Sequence, residues 1–477
     1  MSGRTVVVGG GLAGLAAATV LAEAGAEVTV LEREAYAGGR VGAWPSSLAG
    51  QDGRPPRSFE MERGFHAFFR QYYNLRNLMS RIDPSLSMLA PQLDYPVLSE
   101  GARESFSGLS KRAPLNVAQL ALRTPTLRLR DFPRIDARTA AAMLAYGPHT
   151  YERWDRITAK DYLDALRFPP DARRMLFEVF SHSFFNPEDD FSAAELLMQF
   201  HFYFVGNPEG LIFDTMRVPF GRGLIEPLLS YLRRRGVEIR RGAPAERVIA
   251  SPTALKVVAG GREEDADHVV LALPVPALKT LVQGSAGLPP DLQDGVDSLD
   301  VTLPFVVWRL WFDRPVKARR APFAGTTGVG LLDNISVYEK LEDESAEWAA
   351  ESGGSVVELH AYGVPEHLDE KAIRADLMRG LHLLYPETQD ADVLEERYLH
   401  RRDCPAFAPG SYARRPGVAC SDGRILLAGD FVKLPWPSAL MERATMAGFD
   451  AANRILDREA QPIRSVPTRG LLSRLRF

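Results

Sequence analysis

The sequence predicts an α/β fold in which a parallel-sheet domain, discontinuous along the chain, carries an inserted α+β portion. Three observations predict it: a strand–helix–strand pattern at the start, a strand and helix near the end, and a helix with two strands midway. The first is "TVVVGGGLAGLAAATVLAEAGAEVTVLERE". It reads as a β-branched strand, a glycine turn, an Ala/Leu-rich helix able to stop near Gly25, and a second strand over 27–31. Gly9, Gly11 and Gly14 fill the G-x-G-x-x-G pattern of a Rossmann-type unit. Small residues there allow a tight turn, close approach to a pyrophosphate and close helix–strand packing. Glu32 ends the second strand, where a carboxylate accepts from a ribose 2′-hydroxyl and disfavours a 2′-phosphate. The ligand is then NAD or FAD rather than NADP.

Near the other end, "GRILLAGDF" is a buried-type strand closing on Gly429 and Asp430, and "LMERATMAGFDAANRIL" is a helix entering the core. Midway, "VPFGRGLIEPLLSYLRRRGVEIRRGAPAERVIASP" gives a turn, a helix to about Gly236 and short strands over 237–240 and 246–249. "ADHVVLALPVPAL" adds a strand that returns the chain to the inserted portion. The domains expected are residues 1–79, 212–278 and 420–460 for the dinucleotide, 80–211 and 279–419 for substrate, and a basic tail, 461–477.

Composition narrows the function. The 477 residues are 45% hydrophobic, enough for sizeable cores, and the net charge of -4 gives no field that gathers nucleic acid. Cys404 and Cys420 have no metal-ligand spacing and cannot form a disulfide framework, which fits a reducing cytoplasm. The uncharged run 5–22 imitates an export signal, but its glycines belong to the turn just described. No uninterrupted apolar span is long enough to cross a bilayer. Residues 110–134 and 462–477 mix leucines with arginines. Either suits an anionic membrane surface or a solvated helix packed on its own domain, so the location expected is cytoplasmic, with peripheral contact at the inner face of the cell membrane.

"GGR" at Gly38, Gly39 and Arg40 resembles the flavin-containing amine oxidase and phytoene desaturase superfamily. "ERGFHAFFRQYYNLRNL", "CPAFAPGSYARRPGV", "LPWPSALMERATMAG" and "VPTRGLLSRL" look like the carotenoid φ/χ-ring synthases within it, the isorenieratene synthase type. The resemblance implies an extended FAD. It would meet Gly9, Gly11, Leu12, Ala13, Gly14, Glu32 and Arg33 at one end. Gly38, Gly39, Arg40, Gly64, Phe65, Gly429, Asp430 and Met441 would meet it further along, with a backbone contact to adenine at Val248. Asp430 would meet the ribitol, or serve as a turn or capping residue. The reaction implied is desaturation of a β-ionone ring with methyl migration, on β-carotene or a related carotenoid, with electrons passing to oxygen, a quinone or NADP.

On this resemblance His66 accepts the released proton, or is a hydrogen-bonded interior residue. Phe68, Phe69 and Tyr72, with Phe65 and Tyr73, wall an apolar site, or are ordinary core. Phe200 and Phe204, at helical spacing, are core or the lining of a carotenoid tunnel, and Trp436 is a candidate wall between prolines. Glu442 is a base and Arg443 a partner of the flavin edge, or the two are a local ion pair. The chemistry calls for neither a metal nor a protein nucleophile. The rivals are a linear-polyene desaturase or isomerase, an amine oxidase, and a non-catalytic carrier of flavin or carotenoid, the last disfavoured by three intact FAD segments.

Overall fold

The computed structural model describes the chain except residues 1–2, 51–55, 106–107, 109, 111–114, 116–118, 120–121, 124–126, 128, 175–184, 211 and 469–477. Five parallel strands form one sheet, in the order Glu238–Arg240, Glu27–Leu31, Arg4–Val8, His268–Leu271, Ile425–Leu427. Val6 lies opposite Thr29 on one side and Val269 on the other. The strands other than Glu238–Arg240 at the edge run nearly continuously apolar because both faces of the sheet are covered there.

Four helices position the site: α1 (Leu12–Glu23), α2 (Tyr73–Met79), α3 (Ala193–Phe200) and α4 (Leu440–Ile455). α1 is buried from Leu12 to Ala22, because the sheet covers one side and α4 presses on another. Glycine makes that pressure tolerable: a Cβ at Gly448 would stand 2.2 Å from the Ala13 carbonyl oxygen. The run that imitates an export signal is thus a core strand and helix. Among the described residues no helix is long and apolar enough to cross a membrane.

The strands expected over 237–240 and 246–249 form at Glu238–Arg240 and Ala245–Ala250. A second sheet has seven strands, in the order Val393–Arg401, Phe305–Phe312, Ser355–Ala361, Asn334–Val337, Phe323–Thr326, Pro96–Ser99, Ala102–Ser105. Its neighbours are antiparallel except Phe323–Thr326 beside Pro96–Ser99. Phe68–Phe69, Phe213–Met216 and Leu89–Gln92 make a small third sheet. Parts of the basic stretch 110–134 and residues 469–477 of the tail lie outside the described residues.

Candidate active site

A cavity of about 1010 Å³ opens at the carboxyl ends of Arg4–Val8 and His268–Leu271, with Val97, Val307 and His360 of the seven-stranded sheet on its other wall. Ligands of open α/β sheets bind at this end, where the strand order reverses. Gly9, Gly11, Leu12, Ala13, Glu32, Arg33, Gly38, Gly39 and Arg40 line its first half. α1 begins at Gly11 with no side-chain cap and no acid in its first turn, so its amide groups and positive dipole end suit a pyrophosphate. Gly14 stands behind the wall, where a Cβ would be 2.0 Å from the Gly9 carbonyl oxygen.

Glu32 is locked in place. Its Oε2 accepts from the Gly10 amide and its Oε1 from the Glu34 amide, each at 2.8 Å, which leaves lone pairs for ribose hydroxyls. Further along, Arg40 donates to Asp430 Oδ1 at 2.5 Å, and Gly429, Asp430 and Met441 complete this part of the wall. An open helix end, a fixed carboxylate and a seam of glycines fit FAD.

The other half is aromatic. Phe65 stacks on Phe323 at 4.4 Å, Phe69 meets Phe213 edge-on at 5.5 Å, and the Tyr72 and Tyr203 hydroxyls satisfy each other at 2.8 Å. His66 also lines this half, with Nδ1 2.7 Å from the Gly64 carbonyl oxygen. A carbonyl only accepts, so Nδ1 carries the proton and the neutral ring keeps its lone pair on Nε2. Burial pulls His66 down to about 4, so that neutral ring prevails at physiological pH.

Behind Gly64 stands a buried polar chain that sequence reasoning missed: Arg309, Glu358, His360 and Tyr362. Burial opposes the Glu358 charge, but Arg309 and His360 hold its carboxyl at about 2. The same burial drives the Tyr362 hydroxyl well above its ordinary value. A signal was present: in "SVVELHAY" the polar residues 358, 360 and 362 alternate with apolar ones, which puts them on one face of a strand.

Several expected site residues lie elsewhere. Gly64, at φ 100°, is absent from the wall; a Cβ there would meet His360 Cε1 at 2.8 Å, so this glycine admits an imidazole rather than a flavin. Val248 donates its amide to Ser285 Oγ at 2.8 Å and accepts from the Ala286 amide at 2.9 Å, while Ala245 and Glu246 line the cavity instead. Glu442 caps α2 from a distance, accepting from the Asn74 and Leu75 amides at 2.9 Å, and does not reach the cavity. Arg443 is not on the wall either but directly behind it, donating from Nη1 to the Asp430 carbonyl oxygen at 3.4 Å. Its guanidinium binds Glu195 of α3 and donates to the Ser438 carbonyl oxygen at 2.8 Å. Phe68 packs edge-on against Phe220, Phe200 and Phe204 stack on each other at 4.7 Å, and Trp436 is partly buried off the wall.

Two buried carboxyls, Glu442 and Glu62 at the end of the strand Arg57–Glu62, give the fold a pH dependence. Burial pushes Glu62 up to about 8 and Glu442 up to about 7. An unfolded glutamate titrates near ~4.3, so as pH rises the unfolded chain releases protons that the folded chain still holds. Stability is greatest below ~4.3 for these groups and falls by up to ~1.4 kcal/mol per unit for each, until pH passes about 7 for Glu442 and about 8 for Glu62. Glu62→Gln is expected to remove one share of that fall, read from denaturant midpoints at pH 5 and pH 8. An unchanged slope in the variant would show that Glu62 is not the titrating group.

An FAD cradle on a Rossmann sheet, opening into an apolar chamber, defines a flavin-dependent oxidoreductase. The family model for flavin containing amine oxidoreductases matches residues 12–456, and the chain belongs to that family. It is 46% identical to a carotenoid phi-ring synthase of Streptomyces griseus, over 98% of this chain and 91% of that protein. A carotenoid phi-ring synthase of Chlorobaculum tepidum is 26% identical over 98% of this chain and 91% of its own length. Among solved structures a putrescine oxidase superposes with a TM-score of 0.69 over 96% of this chain and 99% of its own, at 16% identity, a likeness of fold alone.

Proposed function

We propose that this protein oxidises a carotenoid β-ring to an aromatic ring with migration of one methyl group. The observation that carries the proposal is the aromatic chamber continuous with the FAD cradle, in a chain 46% identical to a phi-ring synthase. A β-ring has one double bond and a carbon bearing two methyls, whereas an arene has three double bonds and no quaternary carbon. Each ring therefore gives up two hydrides and two protons, and a methyl moves to the neighbouring carbon. Bound FAD supplies the hydride acceptor.

The chain's own residues do the rest. Phe65, Phe69, Phe213 and Phe323 hold the ring, keep water from the cation left by hydride loss, and offer it their π faces. His66 takes a proton at Nε2. The test is the mass and absorption spectrum of carotenoids from β-carotene-producing cells that express the chain. A mass lower by four hydrogens per modified ring, with aromatic fragments, is the result expected; unchanged β-carotene beside folded, yellow protein would sink the reading. In the same cells His66→Gln is expected to lower conversion by about 100-fold or more with FAD content unchanged. Retained activity would remove His66 from the mechanism.

An apolar substrate of this size resides in lipid, and we extend the proposal to peripheral contact with the inner face of the cell membrane. Leu93, Leu115, Leu122 and Phe132 are exposed in and beside the basic stretch, and they support that contact. Co-flotation with anionic vesicles tests it, and protein left at the bottom of the gradient would refute it. Oxygen or a quinone reoxidises the flavin in this reading, and anaerobic turnover with and without added quinone separates the two.

A further inference from the structure

Ring aromatisation, as proposed above, releases two protons from different ring carbons, and His66 accounts for one. On the far side of Gly64, Tyr362, His360 and Asn334 share the cavity wall. Arg309 lies opposite Glu358 on the neighbouring strand and donates from Nε to Glu358 Oε2 at 2.8 Å. Glu358 Oε1 accepts from the Phe65 amide at 2.9 Å and stands 2.7 Å from His360 Nε2. An ionised carboxylate only accepts, so Nε2 carries the imidazole proton and Nδ1 keeps its lone pair. Tyr362 lies 2.6 Å from that Nδ1 and donates to it, while its oxygen accepts from Asn334 Nδ2 at 3.0 Å. One lone pair remains on the Tyr362 oxygen.

The geometry points to Tyr362 as the second proton acceptor of the reaction, with His360, Glu358 and Arg309 as positioning residues behind it. In this step a C–H bond of the ring cation breaks and its electron pair becomes the new double bond. The proton passes to the Tyr362 oxygen as the tyrosine's own proton moves to His360 Nδ1. The imidazolium so formed rests against the Glu358 carboxylate, which Arg309 keeps ionised. No electrons leave the substrate here, since the oxidation lies in the hydride loss to FAD that precedes it. The direction of transfer follows from the hydrogen bonds: each oxygen or nitrogen in the chain already donates to the next.

The relay rests on the ring-oxidation reading, and one experiment separates their failures. β-Carotene-producing cells express the wild-type chain, Tyr362→Phe or His360→Gln, each checked for bound FAD by its yellow absorbance. Aromatic product from the wild type, with a carotenoid lighter by only two hydrogens per ring accumulating in Tyr362→Phe and aromatisation down by about 100-fold, is the result expected. Wild-type levels of aromatic product from Tyr362→Phe would overturn the relay alone. Unchanged β-carotene from the wild type would overturn the ring-oxidation reading and the relay with it. His360→Gln removes the receiving nitrogen and carries the same expectation should Tyr362→Phe fail to load FAD. Nitrogen NMR of histidine-labelled holoenzyme gives a readout apart from turnover. The His360 Nδ1 resonance is expected to move on Tyr362→Phe, and an unmoved resonance would overturn the hydrogen bond on which the transfer depends.

Discussion

Replacing Glu195 by alanine is expected to cost about 4 kcal/mol of folding stability. Glu195 is fully buried on α3. Arg443 of α4 binds one of its oxygens; Arg415, at 3.3 Å, and the Tyr151 hydroxyl, at 2.7 Å, bind the other. Burial alone would raise this carboxyl, but Arg443 and Arg415 outweigh it and hold it below its usual value. Alanine would strand two guanidiniums in the interior without the carboxylate that both bind, leaving only the Asp430 and Asp155 charges nearby, and that desolvation, rather than the lost ion pair itself, sets the magnitude. Denaturant unfolding of Glu195→Ala beside Glu195→Gln measures it. A cost under about 1 kcal/mol would mean that water reaches the network.

Gly14→Val is expected to yield protein without FAD and less stable by about 3 kcal/mol. The added Cβ meets a backbone carbonyl 2.0 Å away, so no rotamer relieves it, and the turn that cradles the pyrophosphate must open. Gly423→Ala is the control. Nothing stands within 4 Å of its new Cβ, and a change within about 0.5 kcal/mol with FAD retained is expected. Yellow Gly14→Val protein with an unshifted melting point would show that the strand and helix are not packed as described.

The cradle was legible because its signals are local. Gly9 to Glu32 is one strand, one turn, one helix and one strand, and each residue's role follows from its neighbours in sequence. Glu442 was misread for the opposite reason. It follows "LPWPSAL" closely, near the expected flavin, but its partner Asn74 is 368 residues away and no periodicity announces it. Phe200 and Phe204 do share a helical face, yet which face a helix turns toward a cavity depends on what packs against the others. The Arg309, Glu358 and His360 contacts join two strands and the turn at Gly64. The alternation in "ELHAY" was visible, but nothing in one strand says which side of it borders empty space.

The parallel sheet has a consequence for how the protein is made. Its central strand is synthesised first and that strand's two neighbours second and fourth, and the strand that brings Asp430 to Arg40 is synthesised last, ending at Leu427. At ribosomal speeds of ~5–20 residues per second, the Gly9 turn waits about 20–80 s for its opposite wall. In the last part of that wait, once His268–Leu271 has been made, the flank of Val269 and Val270, which will pair with Ile425 and Leu426, is an open strand edge. Capture of FAD is thus a late event in the life of the nascent chain, and chaperones holding that edge would govern the yield of active enzyme in a heterologous host.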